Sequence, residues 1–271
     1  QEPLWFVGSA QVGESPRKIA MNMRLVLGFD EDWAASHTTW SEALRTLRAA
    51  IDEAGILVVT NGIVGNNTHR RLSPDEFRGF VLVDDYAPLL FVNGRDAKAA
   101  QMFTLAHELA HLFFGKSAAF DLRGMHPADD PVEQACNTVA AEFLVSEGKL
   151  RSIWPSVREE ADPLQRIAQE FKVSVLVAAR RALDLSLITR DEFRDFYDRY
   201  LDNEHRKPED RTGGNFYANQ DNRVGRRFAL EIVNSVAEGR LLYTEAYELT
   251  GLYGATFEEY VSRLGTGGVQ L

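Results

Sequence analysis

The sequence predicts an α+β protein: a small mixed or antiparallel sheet packed on motif-bearing helices, then a helical segment of helix-turn-helix character, then a small helical C-terminal domain. Three observations predict it. Short runs rich in β-branched and aromatic residues (ILVVT, GFVLVD and LLFVN) fall between residues 56 and 93, each bounded by turn formers. An apolar stretch, FTLAHELAHLFFG at 103–115, is long enough for a buried helix and holds two histidines four residues apart. From Asp162 onward, cap residues followed by apolar residues at helical spacing recur to the C-terminus.

Taken in order, residues 1–36 form an N-terminal arm in which PRKIAMNMRLVLGF can hold one short helix. Trp40–Ala54 places Leu44, Leu47, Ile51 and Ala54 on one helical face and ends at Gly55. Ile56–Thr60 reads as a buried strand. Ser73-Pro74-Asp75-Glu76 carries the cap, proline and acidic first turn of a short helix. Gly79–Asp84 and Leu89–Asn93 are two further strands, joined by a hairpin turn at Asp85–Pro88. Asp96 caps the helix that follows, and Gly115 stops it. A polar, irregular stretch leads to Asp130-Pro131, which opens a helix with Val132, Ala135, Cys136, Val139, Ala140, Phe143 and Leu144 on its apolar face.

The chemistry begins at His107-Glu108-Leu109-Ala110-His111. One helical turn separates the two histidines, so both imidazoles face the same way and can share one Zn²⁺, with Glu108 beside them as general base. A catalytic zinc site takes three protein ligands and keeps a position for water. Glu133, 22 residues after His111, is the candidate third ligand, in competition with His126, Asp129 and Glu142. Glu133 can equally complete a capping box with Asp130. His126 and Tyr86 are candidates for the donor that stabilises an oxyanion. Asn93, with Arg95, is a candidate for binding substrate backbone. Cys136 lies one turn beyond Glu133 and reads as a small core residue.

FTLAHELAHL, the strand pair ending LLFVN, and VEQACNTVAAEFLVS at 132–146 resemble the ImmA/IrrE family of metallopeptidases. The similarity runs from about Trp40 to about Thr189, and GGNFYANQDNRVGRRFA resembles a tail found in many members. The resemblance implies zincin-like helices, a Zn²⁺ cofactor and Glu133, four residues before Asn137, as third ligand. It also implies cleavage of a helix-turn-helix transcriptional repressor that controls a stress, DNA-damage, defence or mobile-element operon, with single-stranded DNA as a trigger. Ser146 departs from the proline common in the family. Two other readings stand beside this one: a DNA-binding regulator or sensor on a peptidase-like scaffold, and a toxin-like peptidase held by an antitoxin.

On this reading residues 37–150 are the zinc metallopeptidase domain and 151–201 a helical, helix-turn-helix-like segment. The charged, Pro- and Gly-containing stretch 202–215 is a linker, and 216–271 a small helical C-terminal domain. In the second segment, LQRIAQEFKVSVLVAARRALDLSLI turns at Lys172–Ser174 and places Arg180 and Arg181 on its second helix. Arg226 and Arg227, in RVGRR, are the other candidate nucleic-acid contacts. Thr189–Glu192 caps a helix bearing Phe193, Phe196, Tyr197 and Tyr200 as core aromatics, and Thr256 with Glu259 caps the last helix.

The net charge of −10 argues against broad adhesion to nucleic acid or acidic membrane, so any DNA site must be local. A single cysteine excludes an internal disulfide and fits a reducing, cytoplasmic compartment. No apolar run approaches a membrane span and no signal-peptide pattern is visible, although a start at Gln1 leaves room for an upstream segment.

Overall fold

The computed structural model describes residues 2–64, 67–116, 118–120, 130–204, 220 and 222–264. Helices α1 (Pro16–Leu27) and α2 (Trp40–Glu53) precede five strands: β1 (Leu57–Asn61), β2 (Ile63–Val64), β3 (Asn67–Arg71), β4 (Gly79–Leu82) and β5 (Leu89–Asn93). Helix α3 (Lys98–Phe114), strand β6 (Ala118–Phe120) and helix α4 (Pro131–Leu144) follow. Then come α5 (Glu147–Val157), α6 (Pro163–Phe171), α7 (Val175–Asp184) and α8 (Arg190–Glu204). The C-terminal unit is α9 (Arg226–Ala237), α10 (Tyr243–Thr250) and α11 (Ala255–Arg263). No helix among the described residues is long and apolar enough to cross a membrane.

The main sheet has the order β1-β5-β4-β6 and is mixed. β4 and β5 form the antiparallel hairpin that their sequence announces, with Phe80 stacked on Phe91 at 5.0 Å across the pair. β1 runs parallel to β5, in register from Leu57 with Leu89 to Asn61 with Asn93. A parallel partner needs a long connection, and residues 62–88 supply it by way of the β2–β3 hairpin and β4.

α3 has apolar residues on all sides and is buried on almost all of them, against β4 and β5 and, most extensively, α4. Leu90 and Val92 of β5, Leu105, Leu109 and Phe113 of α3, and Phe143 of α4 are all essentially inaccessible. Trimming one such phenylalanine to alanine costs about 3–5 kcal/mol. Gly115 closes α3 in the left-handed conformation, φ 65°. Beyond it, the N-terminal segment caps the helix end: Gly8 N–H donates to the Leu112 carbonyl at 2.9 Å and Ala10 N–H to that of Phe113 at 2.8 Å. Phe6 stacks on Phe113 at 5.4 Å.

Several expectations are corrected. The segment expected as an N-terminal arm is part of the main core, through Phe6, Ile19, Met23, Leu27 and Trp33. Ser73–Glu76 forms a single turn rather than a helix, with Ser73 Oγ accepting from Asp75 N–H. Asp96 does not cap α3, whose N-cap is Ala97. Its carboxylate instead pairs with Arg78 at 3.1 Å, and burial raises its pKa. Thr256 and Glu259 form no capping box, since the N-cap of α11 is Gly254 and Glu259 pairs with Arg263. The α8 aromatics are half-buried and stack on one another rather than filling a core. Helix α8 also runs through Glu204, into the first residues of the expected linker.

Candidate metal centre

His107 and His111 lie on the α3 face that meets α4. Their Nε2 atoms are 3.0 Å apart, and both rings are buried. Glu133 enters from the first turn of α4, with Oε2 at 3.1 Å from His107 Nε2 and Oε1 at 3.1 Å from His111 Nε2. Its carboxylate is therefore not in a capping box. Asp130 caps α4 alone, accepting from Val132 N–H. These three residues form a metal-type donor cluster among the described residues, with all ligand atoms within 4.8 Å of one another. Tetrahedral zinc with bonds of about 2.0–2.1 Å places its donors about 3.3 Å apart, close to these separations.

The protonation chemistry also asks for a cation. Asn137, one turn beyond Glu133 on α4, sets its Oδ1 3.0 Å from His107 Nδ1, so Nδ1–H donates to the amide oxygen. Burial lowers the His107 pKa, with hydrogen bonding to Glu133 opposing it. Hydrogen bonds from His107 and His111 hold the Glu133 carboxylate down to about 2, but in the neutral Nδ1–H tautomer His107 has no Nε2 proton to give and points a lone pair at that carboxylate instead. Lone pairs facing each other across 3.1 Å repel unless positive charge lies between them.

Glu108 is fully buried, and neither carboxylate oxygen has a hydrogen-bond partner among the described residues. Burial, with the Glu133 charge adding to it, pushes its pKa up to about 9. Strand β4 passes directly over it. A Cβ on Gly79 would stand 2.5 Å from Thr104 Cγ2, 2.7 Å from the Phe91 carbonyl and 3.4 Å from Glu108 Oε1, so only glycine lets the strand come this near.

The other candidates lie elsewhere. Asn93 is buried in the turn after β5, donating to the Phe77 carbonyl and accepting from Arg95 N–H. Tyr86 is exposed in the β4–β5 turn, at the end of β4 away from Gly79. His126 and Asp129 lie outside the described residues. Glu142 is buried on α4 but pairs with Arg181, which also donates to the Val145 carbonyl. Arg181 is thus an internal strut and not a surface contact. Arg180 is exposed and pairs with Asp184 on its own helix. Arg226 donates to the Leu264 carbonyl at 3.1 Å and Arg227 to that of Asp52 at 3.5 Å. Cys136 is buried, and burial pushes its thiol pKa up, consistent with a core residue.

Sequence reasoning used Asn137 only as a motif marker. The signal for its role was its position four residues after Glu133, which places both on the α4 face that meets the histidines.

Comparison with known families places these residues inside a match: the model described as IrrE N-terminal-like domain, Peptidase_M78, covers residues 51–183. That span contains the whole cluster. Residues 51–183 form an ImmA/IrrE-family peptidase domain. A second model, Domain of unknown function (DUF8813), matches residues 224–263, the C-terminal helices. A search of curated proteins gave no match to the chain. The ImmA/IrrE domain is of the metallopeptidase type, and its model boundaries fall within the folded core: α1, with Phe6, Gly8 and Ala10, precedes the match and packs on α3 and α4.

Proposed function

We propose that the protein is a zinc-dependent endopeptidase. In this reading it cuts a helix-turn-helix transcriptional repressor and so derepresses a stress, defence or mobile-element operon. The observation that carries the catalytic part is the convergence of His107, His111 and Glu133 beside the buried carboxylate of Glu108, which has no partner among the described residues. Two imidazoles and one carboxylate suit zinc among the common divalent ions. The substrate class rests on the resemblance to ImmA/IrrE peptidases.

His107, His111 and Glu133 would hold the ion. When bound, zinc supplies Lewis acidity and lowers the pKa of a coordinated water to about 7. Positive charge at the cluster offsets Glu133 and returns Glu108 toward the carboxylate form that a general base requires. Glu108 then takes the proton of the attacking water and delivers it to the departing amine. Asn137 keeps His107 in the tautomer that presents Nε2. The burial of α3 excludes bulk water and fixes these side chains on a rigid element.

The test is cleavage of a helix-turn-helix repressor encoded beside the gene. Zinc should support a discrete cut, and chelator or Glu108→Gln should abolish it. Added single-stranded DNA should raise the rate in a salt-sensitive manner if it is the trigger. Cutting that is indifferent to both chelator and Glu108→Gln would overturn the proposal. Tight sequence-specific DNA binding without cleavage would favour a regulator instead, a role for which buried Arg181 is poorly placed.

A further inference from the structure

The C-terminal unit has its own apolar core and docks on the outer side of β1. Gly225 makes the approach possible: its φ is 83°, and a Cβ there would meet the Val58 carbonyl at 3.0 Å. Arg48 bonds Asn222 across the same junction. Between sheet and helices this docking leaves a cavity of about 570 Å³, a size typical of small-molecule sites.

The floor is aliphatic. Leu57 and Val59 alternate along β1 with buried Val58 and so face outward, and Leu89 lies beside Leu57 on β5. Phe228 and Tyr253 add aromatic rings. Two polar side chains, Gln220 and Arg223, stand at this apolar floor. Gln220 is 1% exposed, yet its Nε2 has no hydrogen-bond partner among the described residues. Arg223 also lines the cavity, and no acidic side chain pairs with it among the described residues. In a chain of net charge −10, no aspartate or glutamate lines this space among the described residues.

Both groups are hydrogen-bond donors, Gln220 Nε2 without a partner among the described residues and Arg223 cationic, set in an apolar and aromatic surround. The complement is an acceptor that carries negative charge on a flat apolar body. We propose that this cavity is a binding site for an aromatic carboxylate. Its carboxylate oxygens would accept from Gln220 Nε2 and Arg223, and its ring would cover Leu57 and Val59. The site uses none of the metal-cluster residues and does not depend on the peptidase reading.

The test uses the full chain, with 2-naphthoate as probe and uncharged 2-naphthamide as control, read by thermal shift and saturation-transfer NMR in zinc and in chelator. At about 1 mM, 2-naphthoate should raise Tm by about 3 °C and the amide by clearly less. Arg223→Gln should make the two probes equal. Gln220→Leu should abolish the carboxylate shift without lowering the ligand-free Tm, because an unpaired buried amide is replaced by an apolar side chain of similar size. The proposal fails if 2-naphthoate gives no shift, if the amide matches it on the wild-type chain, or if Arg223→Gln leaves the preference intact. It fails equally if Gln220→Leu lowers the ligand-free Tm, or if binding appears only in zinc, which would mark coordination at the metal cluster.

Discussion

Asn137 Oδ1 stands 3.0 Å from His107 Nδ1, so α4 both contributes the acidic member of the cluster and aims one of its imidazoles. Removing the amide should free the ring to rotate and to change tautomer. Asn137→Ala is expected to weaken zinc binding about 10–100-fold, and Asn137→Asp, which keeps an acceptor, to recover most of it. Competition with a chromogenic chelator measures both, and equal affinity in all three proteins would remove Asn137 from the site.

Glu108 and Glu133 should separate cleanly. Glu108→Gln is expected to retain zinc and fold while losing about 10²–10⁴ in rate. Glu133→Ala should lose zinc on dialysis. Metal content and cleavage measured on the same samples distinguish the two roles, and full zinc occupancy in Glu133→Ala would count against the three-residue cluster.

Metal-stripped protein should respond to pH in a defined direction. Glu108 titrates near 9 in the fold against an ordinary 4.5, so between those values the folded state binds more protons than the unfolded one. Stability should therefore fall as pH rises through that window. Glu133, held at about 2, works the other way, and its contribution is lost only as pH falls below its ordinary 4.5. Glu108→Gln should flatten the alkaline slope. Urea midpoints of chelated protein across the range give the answer, and a slope unchanged by the substitution would rule Glu108 out as its source.

Gly79→Ala should be costly for so small a change. The added methyl meets Thr104 and the Phe91 carbonyl at 2.5 and 2.7 Å, and overpacking of this kind costs about 1–3 kcal/mol. Activity should fall with it, because β4 must move off Glu108. An unaltered denaturation midpoint would contradict the close approach.

Adjacent arginines on α7 should behave oppositely. Arg181→Ala leaves Glu142 buried without its partner and is expected to destabilise by about 3–5 kcal/mol. Arg180→Ala, at an exposed pair, should stay within about 0.5 kcal/mol. The same two proteins assayed for DNA retention show whether α7 reads DNA at all, as Arg180→Ala can lower retention without harming the fold.

What the sequence made legible were the features written into neighbouring residues. HELAH spacing, the β4–β5 hairpin, the Asp130 cap and the Lys172–Ser174 turn each depend on a few consecutive side chains, and each is present in the structure. Competition between distant residues was not legible. Asp96 had the chemistry of a cap but found Arg78, and Glu133 had the spacing of a capping box but turned to the histidines. Arg181 had the position of a DNA contact, and only the packing of α7 against α4 buried it on Glu142. The parallel pairing of β1 with β5 likewise depends on a connection whose path no local pattern records.

The backbone bonds from Gly8 and Ala10 to the end of α3 bear on where the functional unit begins. A minimal fragment cut to the family block at 51–183 would leave the histidine helix with bare terminal carbonyls and a hole where Phe6, Ile19 and Met23 had been. Anyone trimming this chain in search of a catalytic kernel should keep the stretch from Phe6 to Met23, since the rod that presents both imidazoles is finished by it.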